Sequence, residues 1–126
     1  MSAQRPAPVA LLEANYRRLV DYAYEQSHVV LIAESPLERL GFLLLLDGLP
    51  DEVTGLPQAF VAYMAVEPHV RRRGIGAALL QSAQAVARER NLPHLALMVT
   101  EDNAAARELY AQAGFGTERR MLCKAV

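Results

Sequence analysis

The stretch Val66–Gly76 (VEPHVRRRGIG) holds the first chemical signal of the chain. Gly74 and Gly76 allow a tight turn that exposes main-chain amides. A helix beginning there adds unpaired N–H groups and a partial positive charge. Arg71, Arg72 and Arg73 bring cations to the same place. Such a turn holds a phosphate without any special side chain; the plainer reading is a glycine turn beside a solvated basic run. It is not a dinucleotide fingerprint, because the third glycine would fall at position 79, which is Leu79. It is not a nucleotide P-loop either, because Gly-Lys-Ser/Thr is absent.

A second signal lies at Asn103–Tyr110 (NAAARELY), followed by Ala111–Phe115 (AQAGF). Asn103 opens a helix just beyond a strand. Tyr110 is seven residues on, two turns along and near the same face. A phenol with an ordinary pKa of about 10 is protonated at neutral pH and can give a proton. Each residue alone also has a structural explanation, a helix cap for Asn103 and packing for Tyr110.

The elements that must position these residues follow from the pattern. A helix is expected from about Pro8 to Gln26, with Leu12, Tyr16, Leu19 and Ala23 on one face. Strands are expected at His28–Ala33, Arg39–Asp47 and Ala59–Val66, and they can form a meander. Asp47–Pro57, with its glycines, prolines and acids, reads as a loop. A helix spans Gly74–Arg90 and is ended by Asn91 and Pro93. A strand at His94–Val99 then lies parallel to Ala59–Val66. A helix at Asp102–Ala113 is capped by Asp102 or Asn103 and closed by Gly114. A last strand is expected at Glu118–Lys124. The fold class is therefore α/β (α+β): a mixed sheet around a parallel strand–helix–strand unit, flanked by helices.

Composition bounds the rest. A chain of 126 residues fits one domain, taken here as 1–126. Thirteen basic against fourteen acidic side chains exclude a generally basic nucleic-acid binder. The lone Cys123 excludes an intramolecular disulfide, and with His28, His69 and His94 scattered, no metal is expected. Met1–Pro8 lacks the pattern of a targeting segment, and no run is long enough to span a membrane. A reducing, cytoplasmic setting is the default expectation.

Together the two motifs resemble the GNAT superfamily of acyl-CoA-dependent N-acyltransferases. Arg71, Gly74 and Gly76 match its Arg/Gln-x-x-Gly-x-Gly/Ala signature, preceded by a typical Val66-x-Pro68. Asn103, Ala106, Leu109, Tyr110, Gly114 and Phe115 match its second signature. Residues 59–116 carry the resemblance; 28–58 share only strand order. It implies that amides of Arg71, Arg72, Arg73, Gly74, Ile75 and Gly76 hold the pyrophosphate of acetyl-CoA, used as co-substrate. It implies that the pantetheine arm pairs with the strand edge at Met64, Ala65 and Val66, and that Asn103 bonds it. It implies that Val66 N–H polarises the thioester carbonyl and that Tyr110 protonates the leaving thiolate. The acceptor would be a primary amine of a small molecule or peptide.

The carboxylate that some members carry early on the central strand is missing, since Ala59, Phe60, Val61 and Ala62 stand there. Glu67, Asp47, Glu101, Tyr63 or a water chain are the substitutes. That gap leaves a second reading, a CoA-binding sensor or partner module without catalysis. Both termini look reduced against the family pattern, so self-association into a homodimer is expected to cover the sheet edges.

Overall fold

The structure is a computed structural model that describes residues 5–126; the first four residues of the Met1–Pro8 segment lie outside the described residues. Helix α1 spans Val9–Glu25. Strands β1 (His28–Glu34), β2 (Arg39–Leu46) and β3 (Ala59–Val66) follow, then a 3-10 turn at Pro68–Val70. Helix α2 (Ile75–Glu89), strand β4 (Leu95–Leu97) and helix α3 (Ala104–Gln112) complete the order. The sheet runs β1-β2-β3-β4. The first three strands are an antiparallel meander, and β4 pairs parallel with β3.

Alternating leucines on β2 divide the molecule into layers. Leu43 and Leu45 pack with Leu79, Leu80, Ala83 and Ala87 of α2. Leu44 and Leu46 pack on the opposite face with Ala23 of α1. Strand β2 is thus covered on both faces, which is why its sequence is apolar without alternation. Leu43, Leu44, Leu45 and Leu46 are almost fully buried, and each contributes on the order of 1.5–3 kcal/mol.

Both sequence signals for helix termination take the same form. Asn91 has φ 57°, its N–H donates to Arg88 O, and Leu92 N–H donates to Ala87 O. Gly114 has φ 95°, its N–H donates to Ala111 O, and Phe115 N–H donates to Tyr110 O. These paired bonds around a left-handed residue are Schellman caps.

Two expectations change. The strand placed at Glu118–Lys124 is not formed; residues 116–126 take no helix or strand. Met121 and Leu122 are largely exposed there, so the segment finds no neighbour to pair with. The strand placed at His94–Val99 shortens to Leu95–Leu97, because its pairing with β3 ends at Val61↔Leu97, where the register of β3 is interrupted. A bidentate ion pair from Arg119 to Asp51 (2.6 and 3.0 Å) fastens the C-terminal segment to the β2–β3 loop. The Arg119 guanidinium, helped by Thr54, holds the Asp51 carboxyl well below its ordinary range. No helix among the described residues is long and apolar enough to cross a membrane.

Candidate functional site

The site begins with one extra residue. Leu44 pairs with Tyr63 and Leu45 with Val61, so Ala62 has no opposite number on β2 and forms a β-bulge. The side chains register it. Val61 and Met64 belong to the α2 layer, whereas Ala62 and Tyr63, although adjacent, both belong to the α1 layer.

The bulge also resets where the backbone points. Ala59 N–H donates to His94 O (2.9 Å), and β3 stays paired with β4 only through Val61↔Leu97. At the other end Glu67 N–H donates to Leu40 O (2.8 Å). In an antiparallel ladder alternate residues exchange both bonds. Ala65 and Tyr63 therefore direct their main chain at Phe42 and Leu44 of β2. Met64 and Val66 direct theirs the other way, into the opening where β4 has left the sheet. Of the three edge residues expected from sequence, Ala65 is thus spent on β2. The Val66 carbonyl accepts from Arg71 Nε (3.4 Å), which leaves the Val66 N–H as a donor in the opening.

Close approach keeps this edge in place. Gly41 is directly opposite Val66, and a Cβ on Gly41 would stand 2.7 Å from the Ala65 carbonyl oxygen. Only a glycine accommodates that contact.

The turn after β3 presents the expected amides except that of Arg71, which closes the 3-10 turn by donating to Pro68 O (3.4 Å). Arg71 is extended, Arg72 takes φ 66° and Gly74 takes φ 81° at the start of α2. The first bond of α2 runs from Ala78 N–H to Gly74 O (3.0 Å). The amides of Arg72, Arg73, Gly74, Ile75, Gly76 and Ala77 donate to no main-chain carbonyl among the described residues. Consecutive amides in a left-handed turn at a helix N-terminus make an anion-binding concavity. Arg71, Arg72 and Arg73 are exposed around it. Gly76 serves differently from its sequence reading: its φ is not positive, and it is small because Leu109 of α3 packs on it.

Helix α3 brings the second motif to the same layer. The Asn103 side chain caps the helix, with Oδ1 accepting from Ala106 N–H (3.2 Å), and its Nδ2 is not used by the cap. Tyr110, like Met64, Val66 and Leu97, is partly buried and packs against the core cluster of β2, β3 and α2. Its ring meets Phe115 edge-on at 5.9 Å, the apolar contact of the Schellman cap. Burial pushes the Tyr110 phenol above its ordinary pKa, so it stays protonated through neutral pH. A cleft of ≈ 410 Å³ adjoins the turn, lined by Gly74, Ala77, Gln81, Gln84 and Gln112 among others.

The substitutes for a general base lie apart from one another. Asp47 is at the far end of β2, nearly buried and ion-paired with Arg90. Glu67 caps the 3-10 turn by position and is exposed, as is Glu101. Tyr63 stacks on Phe42 (5.7 Å) and tilts against Tyr16 (4.8 Å) on the α1 face. Burial and the Tyr16 hydroxyl push its pKa up, so it is a poor base near neutrality. The bulge at Ala62, which aims Met64 and Val66, is the feature that sequence reasoning missed; an all-apolar strand carries no sign of it.

Comparison with known proteins agrees with this geometry. The peptidyl-lysine N-acetyltransferase YiaC of Escherichia coli is 34% identical over 108 residues, covering 82% of this chain and 64% of that protein. The chain spans 29 to 64% of the length of the curated relatives it matches. A putative acetyl transferase from Pyrococcus furiosus superposes with a TM-score of 0.84 at 25% identity, covering 98% of this chain and 83% of that one. A ribosomal-protein-alanine N-acetyltransferase from Brucella melitensis superposes with a TM-score of 0.64 at 27% identity, covering 79% and 74%. The model of the Acetyltransferase (GNAT) family matches residues 2–115. With the bulged strand, the free-amide turn and the family model in agreement over nearly all of its length, the chain belongs to the GNAT acetyltransferase family.

Proposed function

We propose that this chain is an N-acetyltransferase that moves the acetyl group of acetyl-CoA directly to a primary amine of a peptide or small molecule. The observation that carries the reading is the pairing of two backbone features in one layer. One is the run of free amides from Arg72 to Ala77, suited to a pyrophosphate. The other is the outward main chain of Met64 and Val66, suited to an extended amide-bearing arm that adds to a strand edge. The residues present therefore fit acetyl-CoA, whose thioester would supply the acetyl group. Val66 N–H is the donor for the thioester oxygen. Asn103 Nδ2 is the side-chain donor toward the arm. Tyr110 gives a proton to the departing sulfur, a role consistent with its protonated phenol. The likeness to a peptidyl-lysine acetyltransferase favours a lysine side chain as the amine.

The absence of a carboxylate on Ala59–Ala62, with Asp47 held by Arg90, favours one second reading, a CoA-binding module without turnover. The test is calorimetry with acetyl-CoA, followed by transfer assays on lysine-containing peptides and small amines. Binding with acetyl transfer supports the first reading. Binding without transfer to any amine supports the second. No binding overturns both.

A further inference from the structure

Strand β1 is the end strand of the sheet, with no partner on its outer side among the described residues. Which of its groups face outward follows from the ladder. Asp47 N–H donates to Ser27 O (3.3 Å), so Ser27 and Asp47 form a bonded pair. The register then runs unbroken from His28↔Leu46 to Ala33↔Gly41. By alternation Val29, Leu31 and Ala33 direct their main chain at β2. His28, Val30 and Ile32 direct their N–H and C=O groups outward, and so does Glu34 beyond the shift, because Ser35 N–H after it again donates to the β2 side, at Glu38 O (2.8 Å).

The side chains divide the same way. Val29, Leu31 and Ala33 pack on the α2 layer. Val30 and Ile32 are 36% and 49% exposed on the opposite face, which α1 leaves uncovered there. The strand carries no Pro and no Lys, and the one register shift of its ladder falls at its end, between Ala33 and Glu34, so Val29 to Ala33 is a regular and unguarded edge.

The edge is complementary to itself in one register. In an antiparallel pair of two copies, centred on Leu31, outward residues meet outward residues. His28 of one copy then faces Glu34 of the other, and Val30 faces Ile32, each twice by symmetry. Shifting the register by one rung either way sets Glu34 against Val30, or His28 against Ile32. Only the Leu31-centred register matches basic with acidic and apolar with apolar.

We propose that two copies of this chain associate isologously through β1, antiparallel and centred on Leu31, so that two four-stranded sheets become one of eight strands. The interface lies on the opposite edge of the sheet from the opening beside Met64 and Val66, so its formation does not depend on the catalytic reading.

Light scattering of the full chain across the micromolar range tests it. The expected mass is twice 13.9 kDa. Ile32→Lys, at an exposed side chain, is expected to return the mass to 13.9 kDa with far-UV circular dichroism unchanged. Glu34→Arg should weaken the dimer, and His28→Glu with Glu34→Arg should restore it. Leu31→Cys in a Cys123→Ser background reads the register. A non-bonded antiparallel pair brings Cα atoms to about 4.5 Å, within disulfide reach, so mild oxidation should cross-link it. A monomer at all these concentrations overturns the proposal, and so does a dimer that survives Ile32→Lys and does not cross-link.

Discussion

Leu109 closes on Gly76 so tightly that a Cβ there would stand 3.1 Å from Leu109 Cδ2. The contact seats the second half of α3 against the first turn of α2, and so joins the Tyr110 helix to the free-amide turn. In an open helix Gly→Ala stabilises by up to about 1 kcal/mol. Here overpacking opposes that gain, with a typical cost of about 1–3 kcal/mol. Gly76→Ala is therefore expected to destabilise the protein in urea unfolding. In a Leu109→Ala background the same change should stabilise it. The same sign in both backgrounds would mean that Leu109 does not limit this position.

Tyr110→Phe keeps the ring on Phe115 and removes only the hydroxyl. If the phenol protonates the leaving sulfur, kcat should fall by about 10²- to 10⁴-fold with little change in acetyl-CoA affinity. Burial raises the phenol's pKa, so its deprotonation should cause no loss of wild-type kcat between neutral pH and the ordinary tyrosine range. Steady-state kinetics beside calorimetry separates this from packing, which would lower stability and leave kcat intact.

Val66→Pro removes one N–H, the one that faces the opening. The β2 ladder should survive, because Val66 directs its main chain away from β2. Loss of an oxyanion donor costs about 10²- to 10³-fold in kcat. Ala65→Pro is the contrast, since it removes an N–H aimed at Phe42 and should unfold the strand. A Val66→Pro protein that folds and retains full kcat would dismiss Val66 as the donor.

Asp51→Asn should release the segment after Gly116 and raise its hydrogen exchange and proteolysis, while exchange in α2 stays unchanged. The wild type should show the same release in acid. The Asp51 carboxyl is depressed in the folded state, so its contribution is complete above the unfolded value of about 3.9. That contribution disappears as pH falls below this value and through the lower folded one. An acid-insensitive C-terminal segment would show that the Arg119 pair does not fasten it.

Much of this was legible in the residues because the signals were local. Pro8, Gly74, Asn91 and Gly114 mark helix ends through backbone preferences that act at single positions. Strands β1 to β3 were legible through β-branched and apolar runs. The bulge was not, because β3 (AFVAYMAV) is apolar on both faces and a change of phase leaves no polar residue out of place. The expected last strand at Glu118–Lys124 failed for a different reason. Strand formation needs a neighbouring edge, and β4 stops at Leu97. Tyr110 could be read as a proton donor or as packing, and the Schellman contact with Phe115 shows that its ring packs whichever role its hydroxyl has.

The extra residue at Ala62 makes β3 a strand whose length is as constrained as its composition. Deleting one residue between Phe60 and Tyr63 would leave an apolar segment that still satisfies the meander. It would also exchange inside for outside along half of the strand, turning either the side chains or the free amides of Met64 and Val66 the wrong way. Libraries that delete or insert single codons in this segment should therefore be purged more severely than libraries that substitute it, even when the replaced side chain is buried.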